Sequence, residues 1–202
     1  MNVYDFDETI FYPDSMILFT KFCIRRHPSL LHSYFPKLVK TACQYAQGKC
    51  SVTKVHAALN SIIRYLDDPD ADIAAFWKKY ERNFSAWYLL QKKSDDLIIS
   101  ASPEYLLRPA IEKLGVNFIG TIVDRETGVM TGNVRLAKEK AKYIIEKDMP
   151  VIDNFYSDSL SDTPIALLAE KAFIVSDKAR SLEPWPHLTP ELSKKVHKKI
   201  DI

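Results

Sequence analysis

The 202-residue sequence lacks the features that mark several large classes of protein. Its three cysteines, Cys23, Cys43 and Cys50, form no C-x-x-C pair and have no histidine cluster beside them, so we expect free thiols of a reducing compartment. The apolar runs fall far short of the ~18 residues of a membrane span, and a formal net charge of +2 does not indicate a nucleic-acid binder. The acidic N-terminus lacks the basic region of a signal peptide. We therefore expect a cytoplasmic protein that binds neither membrane nor nucleic acid.

Apolar residues, by contrast, are abundant at 47%, which is enough for a folded core. Between Asp14 and Leu90, apolar residues recur at three- and four-residue intervals, which predicts a bundle of about four helices. From Asp96 onward, short apolar runs alternate with helical patterns, which indicates a parallel sheet with helices on both faces. We predict a three-layer α/β core made of residues 1–12 and 92–202, with a helical domain of residues 13–91 inserted after the first strand.

Individual segments of the second half carry more specific predictions. The segment NFIGTIVDRETGVMTGNV resembles two strands joined by a tight turn at Glu126-Thr127-Gly128. TPIALLAEKA is predicted to be a helix, and FIVSD the last strand. Ser102 is predicted to cap a helix that begins at Pro103, because serine followed by proline and an acid is typical of a helix start.

Charged and hydroxyl side chains follow the predicted strands at the points where these strands end. In open parallel sheets, ligands bind in the crevice beyond the carboxyl ends of the strands. A lysine opens the helix that precedes the strand VIDNF. Four carboxylates, one hydroxyl and one ammonium are therefore expected to meet in this crevice: Asp5, Asp7, Asp158 and Asp162, Ser100, and Lys138.

Four carboxylates in one crevice repel each other strongly. Two unit charges ~4 Å apart cost about 4 kcal/mol at an effective dielectric constant near 20, and a divalent cation relieves this repulsion. Oxygen ligands without Cys or His favour Mg²⁺, which commonly binds phosphate oxygens as well. Asp5 and Asp7 lie on the same side of an extended stretch, so one can attack phosphorus while the other protonates the leaving oxygen. Ser100 would donate to a phosphoryl oxygen, and Lys138 would neutralise the developing charge.

In order and separation, these segments resemble the four motifs of the haloacid dehalogenase superfamily, in its phosphoserine-phosphatase-like subfamily IB. The matching segments are DFDET at 5–9, LIISAS around Ser100, the lysine Lys138, and YSDSLSD at 156–162. The resemblance implies a Rossmann-like core. The helical insert at 13–91 is similar to the C1 cap that the superfamily places between its first two motifs.

The resemblance also implies a role for each matched residue. Asp5 is expected to be the nucleophile and a Mg²⁺ ligand, and Asp7 the general acid and base, whose backbone carbonyl also binds the metal. Lys138 is expected to bind phosphate and to assist catalysis by neutralising charge.

The remaining matched residues are expected to bind phosphate or metal. Ser100 and Thr9 are expected to bind phosphate, and Thr9 is also expected to help hold the loop. Asp158 is expected to bind Mg²⁺ directly. Asp162 is expected to support the metal through water or by orienting the lysine.

Three positions stay open. The segment AKEKAK offers Lys138 or Lys140, and Lys138 is preferred because it is closer to the start of the helix. Asp14 is either the N-cap of the first inserted helix or, as the resemblance to phosphoserine phosphatases implies, a contact for a substrate amine. Glu8 stands where the superfamily often has Gly or Ser, so the sequence leaves the exact shape of this loop undetermined.

The sequence therefore predicts a Mg²⁺-dependent phosphatase that hydrolyses a small phosphorylated metabolite through an aspartyl-phosphate. One alternative is a phosphoserine phosphatase or a phosphotransferase of the same chemistry. The segment Ala101-Ser102-Pro103, which replaces the Ser-Gly-Gly of phosphoserine phosphatases, favours a different pocket. The other alternative is a catalytically silent module that binds a phosphorylated ligand or a partner protein through the helical insert.

Overall fold

The computed structural model describes residues 1–131, 137–147 and 149–186, without the side chains of 137–139. A single sheet lies at its centre. Six strands form this sheet in the described part of the chain: β1 (Asn2–Tyr4), β2 (Leu97–Pro103), β3 (Asn117–Thr121), β4 (Ile152–Ser157), β5 (Ala169–Ser176) and β6 (Ser181–Pro184). Their order is β3-β2-β1-β4-β5-β6, with the first five parallel and β6 antiparallel to β5. The predicted α/β class with a parallel sheet is confirmed.

Helices fill the connection between β1 and β2 and cover the later strands. Six lie in the first connection: α1 (Ser15–Arg26), α2 (Leu30–Ser33), α3 (Phe35–Ala46), α4 (Val52–Asn60), α5 (Pro69–Tyr80) and α6 (Ala86–Gln91). Three follow in the rest of the described chain: α7 (Glu104–Leu114), α8 (Ala137–Glu146) and α9 (Thr163–Ala166). No helix among the residues described has the length and apolarity needed to cross a membrane. The predicted helical region between the first two strands is confirmed, with six α-helices in place of the expected four or so.

Apolar side chains of the sheet pack into two clusters. Successive strand residues point to opposite faces, and accordingly Val3 belongs to one cluster and Tyr4 to the other. The cluster of Tyr4 continues into the helical segment, where it includes Phe19 and Trp77. Trp77 also donates a hydrogen bond from Nε1 to the carbonyl of Leu106 in α7, at 2.6 Å. The helical segment and the sheet therefore share one apolar core, and the division into two domains stays a prediction.

The order in which strands are added to the sheet reverses at β1. This strand pairs with β2 on one side and with β4 on the other, so the chain builds the sheet outward from β1 in both directions. Tyr4 is paired with Ile98 and with Tyr156. The loops that follow β1 and β4 are consequently neighbours, and the backbone NH of Asp5 donates to the carbonyl of Tyr156 at 2.9 Å. Such a reversal leaves a crevice at the carboxyl ends of the strands.

Two segments near the end of the described chain differ from expectation. TPIALLAEKA is helical only at Thr163–Ala166, because the residues that follow pair with β4 as part of β5. The strand predicted at FIVSD is confirmed within β5, but it is not the last, since β6 pairs with it in the antiparallel direction. Pro184 is tolerated there because β6 is an edge strand, where some backbone groups need no partner.

The hairpin predicted after α7 is confirmed only in part. Its first strand is β3, and its turn ends at Gly128, which has φ 64° and donates its backbone NH to the carbonyl of Asp124 at 2.8 Å. The return strand is reduced to a single antiparallel bridge between Val123 and Met130. Residues 132–136 lie outside the described part of the chain.

Candidate active site

The loop that follows β1 folds back on itself. The backbone NH of Ile10 donates to the carbonyl of Phe6 at 3.0 Å. This turn places Glu8 in the left-handed region, with φ 58°, where glycine has no steric penalty. Asp5 and Asp7 both border the same small cavity at the crevice. The loop therefore presents both carboxylates, as predicted, and the open question about Glu8 is answered by a left-handed backbone.

Lys140 joins the loops after β1 and β4. Its Nζ lies 2.5 Å from Asp5 Oδ1 and 3.1 Å from Asp162 Oδ2. The three side chains are only 5%, 13% and 4% exposed, respectively. A buried ion pair is retained only when its geometry and hydrogen bonds offset the cost of removing the charges from water. The arrangement fixes one oxygen of Asp5 and leaves Oδ2 free of this contact.

The preferred assignment of the lysine to Lys138 changes here. Residues two apart in a helix differ by about 200° around its axis, so the choice between the two lysines is a choice of helix face. The structure brings Lys140 to Asp5 and Asp162, and the side chain of Lys138 lies outside the described part of the chain. We therefore take Lys140 as the lysine of the site.

Asp7 is held by two short hydrogen bonds. Ser102 Oγ donates to its Oδ2 at 2.5 Å, and the backbone NH of Ser15, at the start of α1, donates to its Oδ1 at 2.6 Å. Both oxygens of the carboxyl are therefore positioned. The sequence could not indicate the contact of Ser15 with Asp7, because the donor is a backbone NH, which nearly every residue has.

The prediction that Ser102 caps a helix is wrong. The helix α7 begins after Pro103, and Ser102 belongs to β2, where its hydroxyl faces Asp7. Its backbone NH donates to Ser100 Oγ at 3.0 Å, which leaves the hydroxyl proton of Ser100 to donate elsewhere. Ser100 is buried and borders the cavity, as a phosphate contact requires.

The loop after β4 is tied to the loop after β1. The backbone NH of Asp158 donates to Thr9 Oγ1 at 2.9 Å, and that hydroxyl donates to Asp158 Oδ1 at 3.3 Å. Thr9 is completely buried, and its hydroxyl ties the two loops together, while its expected contact with phosphate stays a prediction. Asp162 accepts from Ser157 Oγ at 2.8 Å besides its contact with Lys140, which fits the expected role in orienting the lysine.

Burial raises the pKa of three carboxyls in the crevice. The pKa of Asp5 rises to about 7 because burial outweighs the attraction of Lys140. Burial, with the charge of Asp14, raises the pKa of Asp7 to about 7. Burial, with the charge of Asp5, raises the pKa of Asp158 to about 7. Burial lowers the pKa of Lys140, but the charges of its two carboxylate partners reverse this, and the net direction is upward.

The donor set of the crevice fits magnesium in charge and in chemistry. Carboxylates outnumber ammonium groups there, and the acidic side chains offer the oxygen ligands that magnesium prefers. Asp5 and Asp158, with the backbone carbonyl of Asp7, are the groups that would hold the ion, and Asp162 lies beside them. Among the described residues, no three acidic, histidine or cysteine side chains already form a metal cage. Magnesium does not require one, because it usually keeps several waters and binds through one or two carboxylates plus phosphate.

A cavity of about 160 Å³ lies above these groups, small beside the ~300–1,000 Å³ of drug-sized ligand sites. The helical segment provides part of its lining, through Asp14, Met16, His56, Leu59 and Asn60. Asp14 is the N-cap of α1, since its Oδ1 accepts from the backbone NH of Ile17 at 2.7 Å. The capping prediction is therefore confirmed, and the contact of Asp14 with substrate stays a prediction that its place in the cavity permits.

Solved structures with the same fold include phosphoserine phosphatases. A protein of unknown function from Bordetella pertussis Tohama I aligns with a TM-score of 0.69 and 15% identity, over 98% of this chain and 95% of that one. A probable phosphoserine phosphatase from Vibrio cholerae aligns with a TM-score of 0.63 and 13% identity, over 96% of this chain and 58% of that one. A substrate-bound phosphoserine phosphatase aligns with a TM-score of 0.55 and 14% identity, over 96% and 88%. At these identities the likeness concerns the fold.

The sequence itself matches a family model. No functionally curated protein matches it significantly. The model of the haloacid dehalogenase-like hydrolases, however, matches residues 3–167, a stretch that contains every residue placed in the crevice above. The chain therefore belongs to the haloacid dehalogenase-like hydrolase family.

Proposed function

We propose that the protein is a Mg²⁺-dependent phosphatase that hydrolyses a small phosphomonoester through an aspartyl-phosphate on Asp5. The observation that carries this proposal is the contact of Lys140 Nζ with both Asp5 and Asp162 at the carboxyl edge of the sheet. An ammonium that fixes one oxygen of a buried carboxylate orients the other for attack. Membership of the haloacid dehalogenase-like hydrolases supports the reaction class.

In the first step, Asp5 Oδ2 attacks the phosphorus while Oδ1 stays with Lys140. The bond between phosphorus and the leaving oxygen breaks as the Asp5–phosphorus bond forms. Asp7 gives its proton to the leaving oxygen. The hydrogen bond from Ser102 holds the Asp7 carboxyl in place for this transfer. A pKa of about 7, raised by burial, suits Asp7 to this role, because the carboxyl is protonated for part of the time at neutral pH.

In the second step, water attacks the phosphorus and gives a proton to Asp7. The bond between phosphorus and Asp5 breaks, which releases inorganic phosphate and restores both carboxyls to their starting forms. Ser100 and Lys140 donate to the phosphoryl oxygens and stabilise the charge that builds on them. When bound, Mg²⁺ would supply further positive charge, which would offset the negative charge of the carboxylates and the phosphoryl group.

The helical segment 13–91 is proposed to act as a cap. Five of its residues border the cavity, among them Asp14 at the start of α1 and His56 on α4. A covered site excludes bulk water while the aspartyl-phosphate exists and admits the water that hydrolyses it.

The nucleophile is tested with Asp5→Asn, assayed with p-nitrophenyl phosphate and Mg²⁺. Asparagine keeps the size of the side chain but is a poor nucleophile, so we expect kcat to fall by roughly 10³-fold or more. Activity near the level of the native protein would contradict the role of Asp5.

The lysine is tested with Lys140→Ala against Lys142→Ala as a matched control. Lys142 lies on the same helix, and its side chain is 60% exposed and paired with Glu146. We expect a large loss of kcat for Lys140→Ala and none for Lys142→Ala. Loss of activity in Lys138→Ala with an active Lys140→Ala would restore the original assignment.

The alternatives correspond to different outcomes of the same assays. Transfer of the phosphoryl group to an added alcohol, at the expense of release to water, would identify a phosphotransferase. Binding of a phosphate mimic such as vanadate, without hydrolysis of any monoester in a broad panel, would identify a binding module.

A further inference from the structure

The end of α4 forms one wall of the cavity above the reacting groups. His56 and Asn60 are four residues apart on this helix, so they lie on the same face, one turn apart. Both border the cavity, and Met16 of α1 provides an apolar neighbour. This wall faces the space that the leaving group of a phosphomonoester bound at Asp5 would occupy.

Asn60 carries a polar group without a partner. The residue is 1% exposed, and its Nδ2 has no hydrogen-bond partner within the described part of the chain. Its backbone carbonyl accepts from the hydroxyl of Tyr105 at 3.4 Å, which helps to hold this end of the helix. Buried amide donors are nearly always paired, so an unpaired one beside a cavity indicates a missing acceptor. A ligand in the cavity can supply it.

The charge of the cavity limits what that ligand can be. Burial lowers the pKa of His56, so the imidazole is neutral at pH 7 and offers one donor and one acceptor. Four carboxyls (Asp5, Asp7, Asp14 and Asp162) border the same cavity, and its ammonium, Lys140, is already paired with two of them, so the excess of acidic groups repels a carboxylate on the leaving group. A hydroxyl group carries no charge to be repelled. It can accept a hydrogen bond from Asn60 and donate one to His56 or Asp14.

We propose that His56 and Asn60 bind uncharged hydroxyl groups of the leaving group, and that the substrate is the monophosphate of a small neutral polyol. This inference rests on the proposed phosphatase function and adds the class of leaving group. The small cavity agrees with a leaving group of a few carbon atoms.

Matched three-carbon monophosphates test the proposal in the native protein with Mg²⁺. Glycerol 1-phosphate has neutral hydroxyls, propyl phosphate has none, and 3-phosphoglycerate and O-phosphoserine carry a carboxylate. We expect kcat/KM for glycerol 1-phosphate to exceed that for propyl phosphate by at least about tenfold, because a site built to bind a hydroxyl discriminates against its absence. We expect kcat/KM to be lower still for 3-phosphoglycerate and O-phosphoserine.

The outcomes separate this inference from the function on which it rests. Hydrolysis of p-nitrophenyl phosphate with equal use of glycerol and propyl phosphates, or with preference for a carboxylate, would overturn the inference alone. Hydrolysis of none of these compounds would overturn the phosphatase function as well.

Variants of α4 test whether its residues cause the preference for glycerol 1-phosphate over propyl phosphate. Asn60→Leu, of similar size, should bring the ratio of kcat/KM between glycerol and propyl phosphates close to one. Thr53→Ala, at an exposed position on the same helix, should leave the ratio unchanged. Because Asn60 is buried, thermal melting must show that the variant is folded. His56→Leu and His56→Gln provide the second test, since only glutamine keeps a donor and an acceptor and should retain part of the ratio. An unchanged ratio in folded variants would overturn the assignment.

Discussion

Removal of divalent cations should make the stability of this protein fall as the pH rises, and magnesium should abolish the fall. Burial, helped by neighbouring carboxylates, raises the pKa of Asp5, Asp7 and Asp158 from 3.8 to about 7. Between these two values the folded protein keeps protons that the unfolded chain has lost. The folded state therefore binds more protons, and the free energy of unfolding decreases as the pH rises through this window.

The size of the effect follows from a single carboxyl. Its stabilisation is fully present below the unfolded pKa of 3.8 and is lost by the time the pH passes the folded pKa of about 7. Between pH 5 and pH 8, this loss is about 3 kcal/mol for one group. For a chain of this length, a loss of that size lowers Tm by roughly 6–12 °C.

Thermal unfolding followed by circular dichroism, in EDTA and in saturating Mg²⁺, measures this at pH 5, 6, 7 and 8. Magnesium binds the ionised carboxylates, so its stabilising effect should grow with pH. Asp158→Asn removes one partly buried charge and should raise Tm in EDTA at pH 8, while Asp67→Asn, at an exposed position, should not. The reasoning would be refuted if Tm rose with pH in EDTA, or if Tm were the same with and without Mg²⁺ at every pH.

Three further changes test other parts of the structure. Ser102→Ala removes a hydrogen bond that lowers the pKa of Asp7, so the alkaline limb of kcat/KM should move to higher pH; an unmoved pH–rate profile would contradict this. Trp77→Phe removes the hydrogen bond to the carbonyl of Leu106 and should lower the free energy of unfolding in urea by about 0.5–1.5 kcal/mol, in one transition for sheet and helices together. Glu8→Gly should raise the free energy of unfolding by up to about 1 kcal/mol, since φ is 58°, and destabilisation would count against strain there.

The crevice could be predicted from the sequence because the relevant information is local. Asp5 directly follows a strand that is buried on both faces, and Asp158 directly follows a strand whose last three residues are buried. Once the sheet is parallel, strand ends converge at one edge, and no knowledge of packing is required. The helical region between β1 and β2 was also predictable, because its apolar periodicity differs clearly from that of the strands.

Lys140 and Ser102 could not be assigned in this way, because their positions depend on tertiary geometry. The choice between two lysines on α8 depends on how the helix is rotated against the sheet, which periodicity leaves undetermined. The segment Ser102-Pro103-Glu104 does have the composition of a helix start. The structure instead shifts the register between β2 and β3 after Ile99, which extends the strand through Pro103 and turns the serine toward Asp7.

The fold separates the residues of the chemistry from those of the leaving-group wall. Lys140 and Asp162 are embedded between α8 and the central strands, with side chains at most 5% exposed, so their replacement disturbs a buried ion pair. The wall, in contrast, belongs to α4, a fully described helix in which Ala58 and Asn60 are the two buried residues. The other seven residues of this helix are at least partly exposed, so their exchange disturbs no buried ion pair. In the proposed phosphatase, the same carboxylates and lysine would therefore act on different leaving groups after changes in α4, so variants of α4 test the substrate and variants at the sheet edge test the reaction.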